Sequence, residues 1–434
     1  MDRRTFLSSS VLAAGATIIG GSAAGAETAS PPAAGTRADK TGKAPQPTRM
    51  ERLYKAIADS RLPVAFDGTR FSGAGYDWLV QRGSTAHAFL IGEEHGIAEN
   101  PKLAGQLFRA LIPSGYRNLA IEISPPMAAA LDSALMQGPG AAEKFLTTPE
   151  SRVAFYGMKE EADFLSTVRS ALPRQRQVLW GLDYEIGADR HLIAQLEHRR
   201  KPAAASAALK KLAAASSDSW TRYEATHDPA LIFSFAGDPQ LVQKLRTAWP
   251  NADADSSLIM ETLEQTFAIN RLWSAKKGYE SNLTRSRFMR GNLLRYWNSK
   301  PRQERLFMKF GASHMIRGLS MTDVFDIGTL VPELAGMRGD RSFNMLVLPG
   351  PGTQTANLDP TQFKYVPGNR DQYGAGMEMF DEAIIPNRFT LFDTAPLRPI
   401  ANSFSGEIPL PIWRVIHGFD AVLIMTGSHP SSNL

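Results

Sequence analysis

Six ionisable side chains stand where apolar runs end. Glu93 and His95 follow Phe89-Leu90-Ile91-Gly92, and Glu122 follows Leu119-Ala120-Ile121. Asp183 and Glu185 follow Trp180-Gly181-Leu182, and His314 comes shortly after Met308-Lys309-Phe310. Two chemistries suit carboxylates and imidazoles gathered in one place. In one, a histidine tuned by Glu93 or Glu122 takes a proton from water while an arginine or the second histidine stabilises an oxyanion. In the other, Glu93, His95, Glu122 and His314 hold a divalent metal (Zn, Mn, Fe or Co) that supplies hydroxide. A serine nucleophile fits less well: there is no G-x-S-x-G elbow, and Gly311-Ala312-Ser313-His314 lacks the trailing glycine. Neither a G-x-G-x-x-G nor a P-loop pattern occurs. The absence of cysteine excludes thiolate catalysis, disulfides and Cys-based zinc sites. Glu122 is the most telling of the six, because a carboxylate inside an apolar strand needs a cation, a donor network or a proton. Arg285 and Arg287, on a long helical pattern, are its candidate partners. His87, His191, His198, His227, His417 and His429 show no partner pattern and read as structural or exposed.

Strand, polar turn and helix must position these groups. Phe89–Gly92 reads as a buried strand, and Leu103, Leu107, Ala110 and Leu111 mark one face of a helix directly after it. Strand patterns recur at Ala86–Gly92, Arg117–Glu122, Gln177–Leu182, Arg305–Phe310, Asn344–Leu348, Phe389–Phe392 and Ala421–Met425. Helical patterns separate the first four, which predicts a mostly parallel central sheet of the α/β class with helices on both faces. Parallel strands would deliver all six groups to one crevice at their carboxyl ends. No strand pattern lies between Gly187 and Ser299, so residues 187–299 read as an α-helical insertion or cap over the sheet edge. Residues 349–388, rich in Gly, Pro, Asn and Asp, read as one long loop.

The chain opens with Asp2-Arg3-Arg4-Thr5-Phe6-Leu7, a mild apolar stretch, and Ala24-Gly25-Ala26. This is a twin-arginine export signal with an A-x-A cleavage site, predicting removal of residues 1–26 and a periplasmic or secreted location. An uncleaved anchor is the alternative, and the glycines, serines and A-x-A site favour cleavage. Residues 27–48 read as a disordered tether, and 49–434 as a single α/β domain beginning with a short helix to Ser60. No other run is apolar enough to span a bilayer. A net charge of +5, thinly spread, gives no basis for nucleic-acid binding. With 43% hydrophobic and 21% charged residues the chain can build an ordinary core.

Four of these segments together resemble the erythromycin-esterase/ChaN-like/Tiki superfamily: Ile91-Gly92-Glu93-Glu94-His95-Gly96, Ala120-Ile121-Glu122, Gly181-Leu182-Asp183, and Phe310-Gly311-Ala312-Ser313-His314. The stretch Thr284–Leu294 is similar to the esterase helix motif R-D-x-x-M-x-x-N, with Ser286 in place of its Asp. One residue, Glu94, separates Glu93 from His95, as in ChaN-like sequences, where esterases have two. The resemblance spans about residues 85–318. For the esterases it implies water activation by His95, with Glu93, Glu122 and His314 around it and Arg285 as charge partner of a carboxylate. The substrate would be a small molecule or peptide carrying an ester, lactone or amide. For the Tiki-type members it implies a metal peptidase, and for the ChaN-like members haem binding, with Tyr184 and the histidines as candidate axial ligands.

Overall fold

The computed structural model describes residues 47–299, 301, 304–369, 377–402 and 407–434. The export signal and most of the tether therefore lie outside the described residues. Eleven strands are present among them: β1 (Arg61–Phe66), β2 (Phe71–Ser72), β3 (Ala88–Glu93), β4 (Tyr116–Ile121), β5 (Leu179–Gly181), β6 (Arg305–Gly311), β7 (Ser342–Pro349), β8 (Gln354–Asp359), β9 (Lys364–Asn369), β10 (Phe389–Asp393) and β11 (Ala421–Met425). Nine form one sheet in the order β2-β1-β10-β11-β7-β3-β6-β4-β5. The six from β11 to β5 are parallel to one another. Only β10, β1 and β2 at the far edge run by antiparallel pairings.

Alternation along each strand builds two cores. Phe89, Ile91, Leu119, Ile121 and Phe307 face one side of the sheet, and Ala88, Leu90, Ala120, Met308 and Phe310 face the other. Helices Glu99–Leu111 and Lys159–Ala171 cover the first side through Leu103, Leu107, Phe164 and Val168. Burial on both faces is why the central strands read as unbroken apolar runs. Between Ile186 and Ser299 the described elements are all helical, ending with Ala254–Ser274 and Gly278–Ser299 packed together. The second of these sends Met289, Leu293 and Trp297 into the core of the other side. No helix among the described residues is long and apolar enough to cross a membrane.

Three differences from the sequence reading have physical causes. The helix from Arg49 ends at Asp59, and β1 follows at once; Pro63 masked it, being tolerated because β1 lies next to the sheet edge. Residues 349–388 are not one loop. Gln354–Asp359 and Lys364–Asn369 pair as a separate two-stranded ribbon, whose Ala356 and Tyr365 are buried. Gly and Pro occupy its flanks and outer strand, which concealed the alternation. Arg287 is exposed and contacts no carboxylate of the cluster, whereas Arg285 is buried.

Candidate functional site

β3, β6, β4 and β5 are adjacent and parallel, so their last residues meet at one rim. Glu93 ends β3 and points to the side covered by the Glu99–Leu111 and Lys159–Ala171 helices, as its parity with Phe89 and Ile91 requires. The chain then turns at Gly96, where φ is +83° and a Cβ would stand 2.1 Å from the Ala356 carbonyl oxygen. Ala356 and Ser431 both donate backbone hydrogen bonds to the Gly96 carbonyl, at 3.0 and 2.9 Å. Ribbon β8–β9 and residues 428–433 thus clamp the turn carrying His95. A Gly96→Ala variant combines left-handed backbone with a backbone clash, and it is expected to lose about 2–4 kcal/mol of stability. Chemical denaturation would measure the loss, and an unchanged midpoint would refute it.

At the rim, His95 Nδ1 lies 2.9 Å from Glu93 Oε1. A carboxylate only accepts, so Nδ1 carries the proton. Glu122 follows β4 and lies between two imidazoles: His95 Nε2 is 3.5 Å from Oε2, and His314 Nε2 is 3.5 Å from Oε1. Both Nε2 atoms are buried without a hydrogen-bond partner. His314 Nδ1 is held by Asp326 Oδ2 at 2.7 Å, the mirror of the Glu93–His95 pair. Glu122 also accepts from Arg285 Nη2 at 2.6 Å and from the Gly311 backbone N–H at 2.7 Å. Arg285 reaches over from the Gly278–Ser299 helix and is bidentate on Asp183, from Nε at 3.0 Å and Nη2 at 2.5 Å. The four strands therefore bring Glu93, His95, Glu122, Asp183 and His314 together, with Arg285 as the shared cation. Glu185 lies aside, bonded to Ser124. Phe155 stacks on the His95 ring at 4.0 Å between centroids, and its φ of +65° is rare for a bulky residue.

Electrostatics follow from this packing. Burial opposes charge on His95, but Glu122 and Glu93 outweigh it and push its pKa up to about 10. For His314, burial and Arg285 oppose charge while Asp326 and Glu122 raise the pKa to about 9. Burial disfavours the Glu122 carboxylate, yet the two imidazoles hold it well below the usual range. Burial, helped by the nearby Asp183 and Asp189, raises Glu185 to about 8 against the Ser124 hydrogen bonds.

The donor set does not fit a metal or haem. Both Glu122 oxygens already accept from Arg285 and Gly311, and both Glu93 oxygens accept from Lys309, His95 and Asn100. A guanidinium and an ammonium already pair with these carboxylates. No group of three or more ligating side chains is spaced for an ion among the described residues. Haem would need an open imidazole or phenolate, but His95 is covered by Phe155, both Nε2 atoms face Glu122, and Arg285 sits over the Tyr184 ring at 5.2 Å.

Five neighbours of the site were not read from the sequence: Lys309, Glu161, Asn100, Asp326 and Phe155. Lys309 had a visible signal, a lysine inside the apolar run of β6.

No protein-family model matches this chain, and no curated protein matches it by sequence. Solved structures do. A protein from Bacillus cereus superposes with a TM-score of 0.56 at 14% identity, covering 89% of this chain and 100% of that one. A succinoglycan biosynthesis protein gives 0.55 at 12%, covering 88% and 98%. A His-to-Asn mutant of the erythromycin esterase EreC, in its open conformation, gives 0.56 at 15%, covering 82% and 94%. The likeness extends over most of both chains in each case, and it shows that this chain has the erythromycin-esterase-like fold.

Proposed function

We propose that this protein is an exported hydrolase that activates water with its paired imidazoles to cleave an ester, lactone or amide in a small molecule or peptide. One observation carries the reading: Glu122 stands between two buried Nε2 atoms at 3.5 Å each, with Arg285 on the same carboxylate. Each imidazole is gripped at Nδ1 by its own carboxylate, the arrangement that orients a general base. The imidazole that has lost its Nε2 proton takes one from water, and the hydroxyl oxygen attacks the carbonyl carbon. The other imidazole stays charged and, with Arg285, steadies the oxyanion. As the tetrahedral intermediate collapses, the departing oxygen or nitrogen takes the proton back from Nε2. The fold shared with EreC supports the reaction class without naming the substrate. The twin-arginine pattern supports action outside the cytoplasm.

The test is a panel of esters, lactones and amides offered to the mature protein. With a responsive substrate, His95→Ala is expected to reduce kcat by about 10²–10⁴-fold. A variant as fast as wild type would remove His95 from the reaction.

A further inference from the structure

Below the imidazoles, Lys309 and Glu161 extend the Glu93 carboxylate into a buried ion cluster, and the proposed reaction uses neither of the two. Lys309 is 1% exposed, and its Nζ donates to Glu93 Oε1 and to Glu161 Oε1, each at 2.6 Å. The oxygen it holds on Glu93 is the same one that receives His95 Nδ1–H. Asn100 Nδ2 donates to the other Glu93 oxygen. Tyr156 and Phe164 present ring faces to the ammonium at 5.6 and 6.0 Å, and the Tyr156 hydroxyl donates to the Lys309 carbonyl at 3.0 Å. Lys309 lies in register with Ile91 of β3 and Ile121 of β4, on an interior strand of the sheet.

Burying an ammonium and two carboxylates is costly, and apolar side chains of similar volume commonly replace such clusters without loss of stability. Phe307, two residues earlier, packs an apolar ring into the core on the same face. The placement of the cluster one bond from His95 points to another use. We infer that Lys309 and Glu161 are positioning residues, which lock the Glu93 carboxylate plane so that His95 keeps its Nδ1 proton and turns Nε2 toward Glu122. Held at Oε1 by Lys309 and at Oε2 by Asn100, Glu93 cannot rotate, and the imidazole it grips cannot flip. Partners that orient a metal-bound histidine from behind commonly change activity by about 10–100-fold, and a partner behind a general base orients it by the same means. The charged and titratable groups facing Glu93 and His95 are Glu122 after β4, Lys309 from β6, Glu161 from the Lys159–Ala171 helix and Tyr156 from the segment before it, while His314 and Arg285 contact Glu122.

The inference rests on the hydrolase reading, and its test separates the two. Lys309→Met is expected to lower kcat by about 30–100-fold with KM changed less than about two-fold. The double variant Lys309→Met/Glu161→Gln removes one charge of each sign, and it is expected to recover the melting temperature but not kcat. Proton NMR of the full mature chain reads His95 without any substrate. Wild type is expected to show a strongly deshielded Nδ1–H resonance, assigned by its loss in His95→Ala, that shifts or exchanges away in both Lys309 variants. Recovery of kcat together with stability, or an unmoved Nδ1–H resonance, would overturn the positioning role. Failure of wild type to hydrolyse any substrate would overturn the hydrolase reading while the NMR result still decides this one.

Discussion

An Arg285→Met variant is expected to lose about 3–5 kcal/mol of stability, because one guanidinium at 3% exposure neutralises two buried carboxylates. Glu122 and Asp183 would be left buried without the cation they share. An exposed ion pair removed the same way would cost about 1 kcal/mol or less, so the size of the loss reports burial. Hydrolysis is expected to disappear with it, since the oxyanion loses its cation and Glu122 its anchor between the imidazoles. Pairing Arg285→Met with Asp183→Asn removes one charge of each sign and is expected to recover part of the stability but little of the activity. Urea denaturation read alongside turnover checks both. A midpoint within experimental error of wild type for the single variant would contradict the bonding described here.

Stability is expected to fall steadily as pH rises from about 5 to 10, by several kcal/mol at roughly 1.4 kcal/mol per pKa unit. His95 and His314 bind protons more tightly folded than at their ordinary value of 6.5, with folded values of about 10 and 9. The stability they contribute is complete below 6.5 and is lost as pH climbs through those folded values. Glu185 and Glu161, raised by burial from 4.5 to about 8 and 7, act in the same sense from 4.5 upward. Glu93 and Glu122, held below 4.5 against burial chiefly by Lys309 and by the imidazoles, act oppositely, and their contribution is lost in acid. Stability should therefore peak near pH 5–6. Turnover should do the reverse, because a general base works only after losing its proton, and kcat/KM is expected to rise toward pH 9. Calorimetry and initial rates across pH 5–10 test the pair of curves. A melting temperature that holds constant or climbs between pH 6.5 and 9 would refute the charge states assigned to the histidines.

The meeting of Glu93, His95, Glu122 and His314 was legible in the sequence because parallel strands leave a regular trace: an apolar run, then a polar residue, four times over. Glu122 was legible for a second reason, since a carboxylate in an apolar strand demands a cation, and Arg285 supplies it. Lys309 obeys the same rule from within β6, but Met308-Lys309-Phe310 reads as an apolar run and gives its lysine no partner. Glu161 was hidden differently. Lys159-Glu160-Glu161 reads as a solvated helix start, and only the angle of that helix against the sheet buries its third residue to 1% exposure. Asp326 and Phe155 come from irregular connections, where no periodicity exists to read. Ribbon β8–β9 failed for want of a core of its own; its burial comes from packing on the Gly96 turn, Met158 and its neighbours, which no local pattern encodes.

The strap formed by residues 428–433 has a consequence for how the protein is born. Its contacts with the turn after His95 join groups 330 positions apart, Glu99 accepting from the His429 backbone and ring. Contacts that distant form late, once intervening segments have condensed. A folding chain whose distant strap has not yet docked holds the strand ends in place yet lacks the clamp on the corner that carries His95.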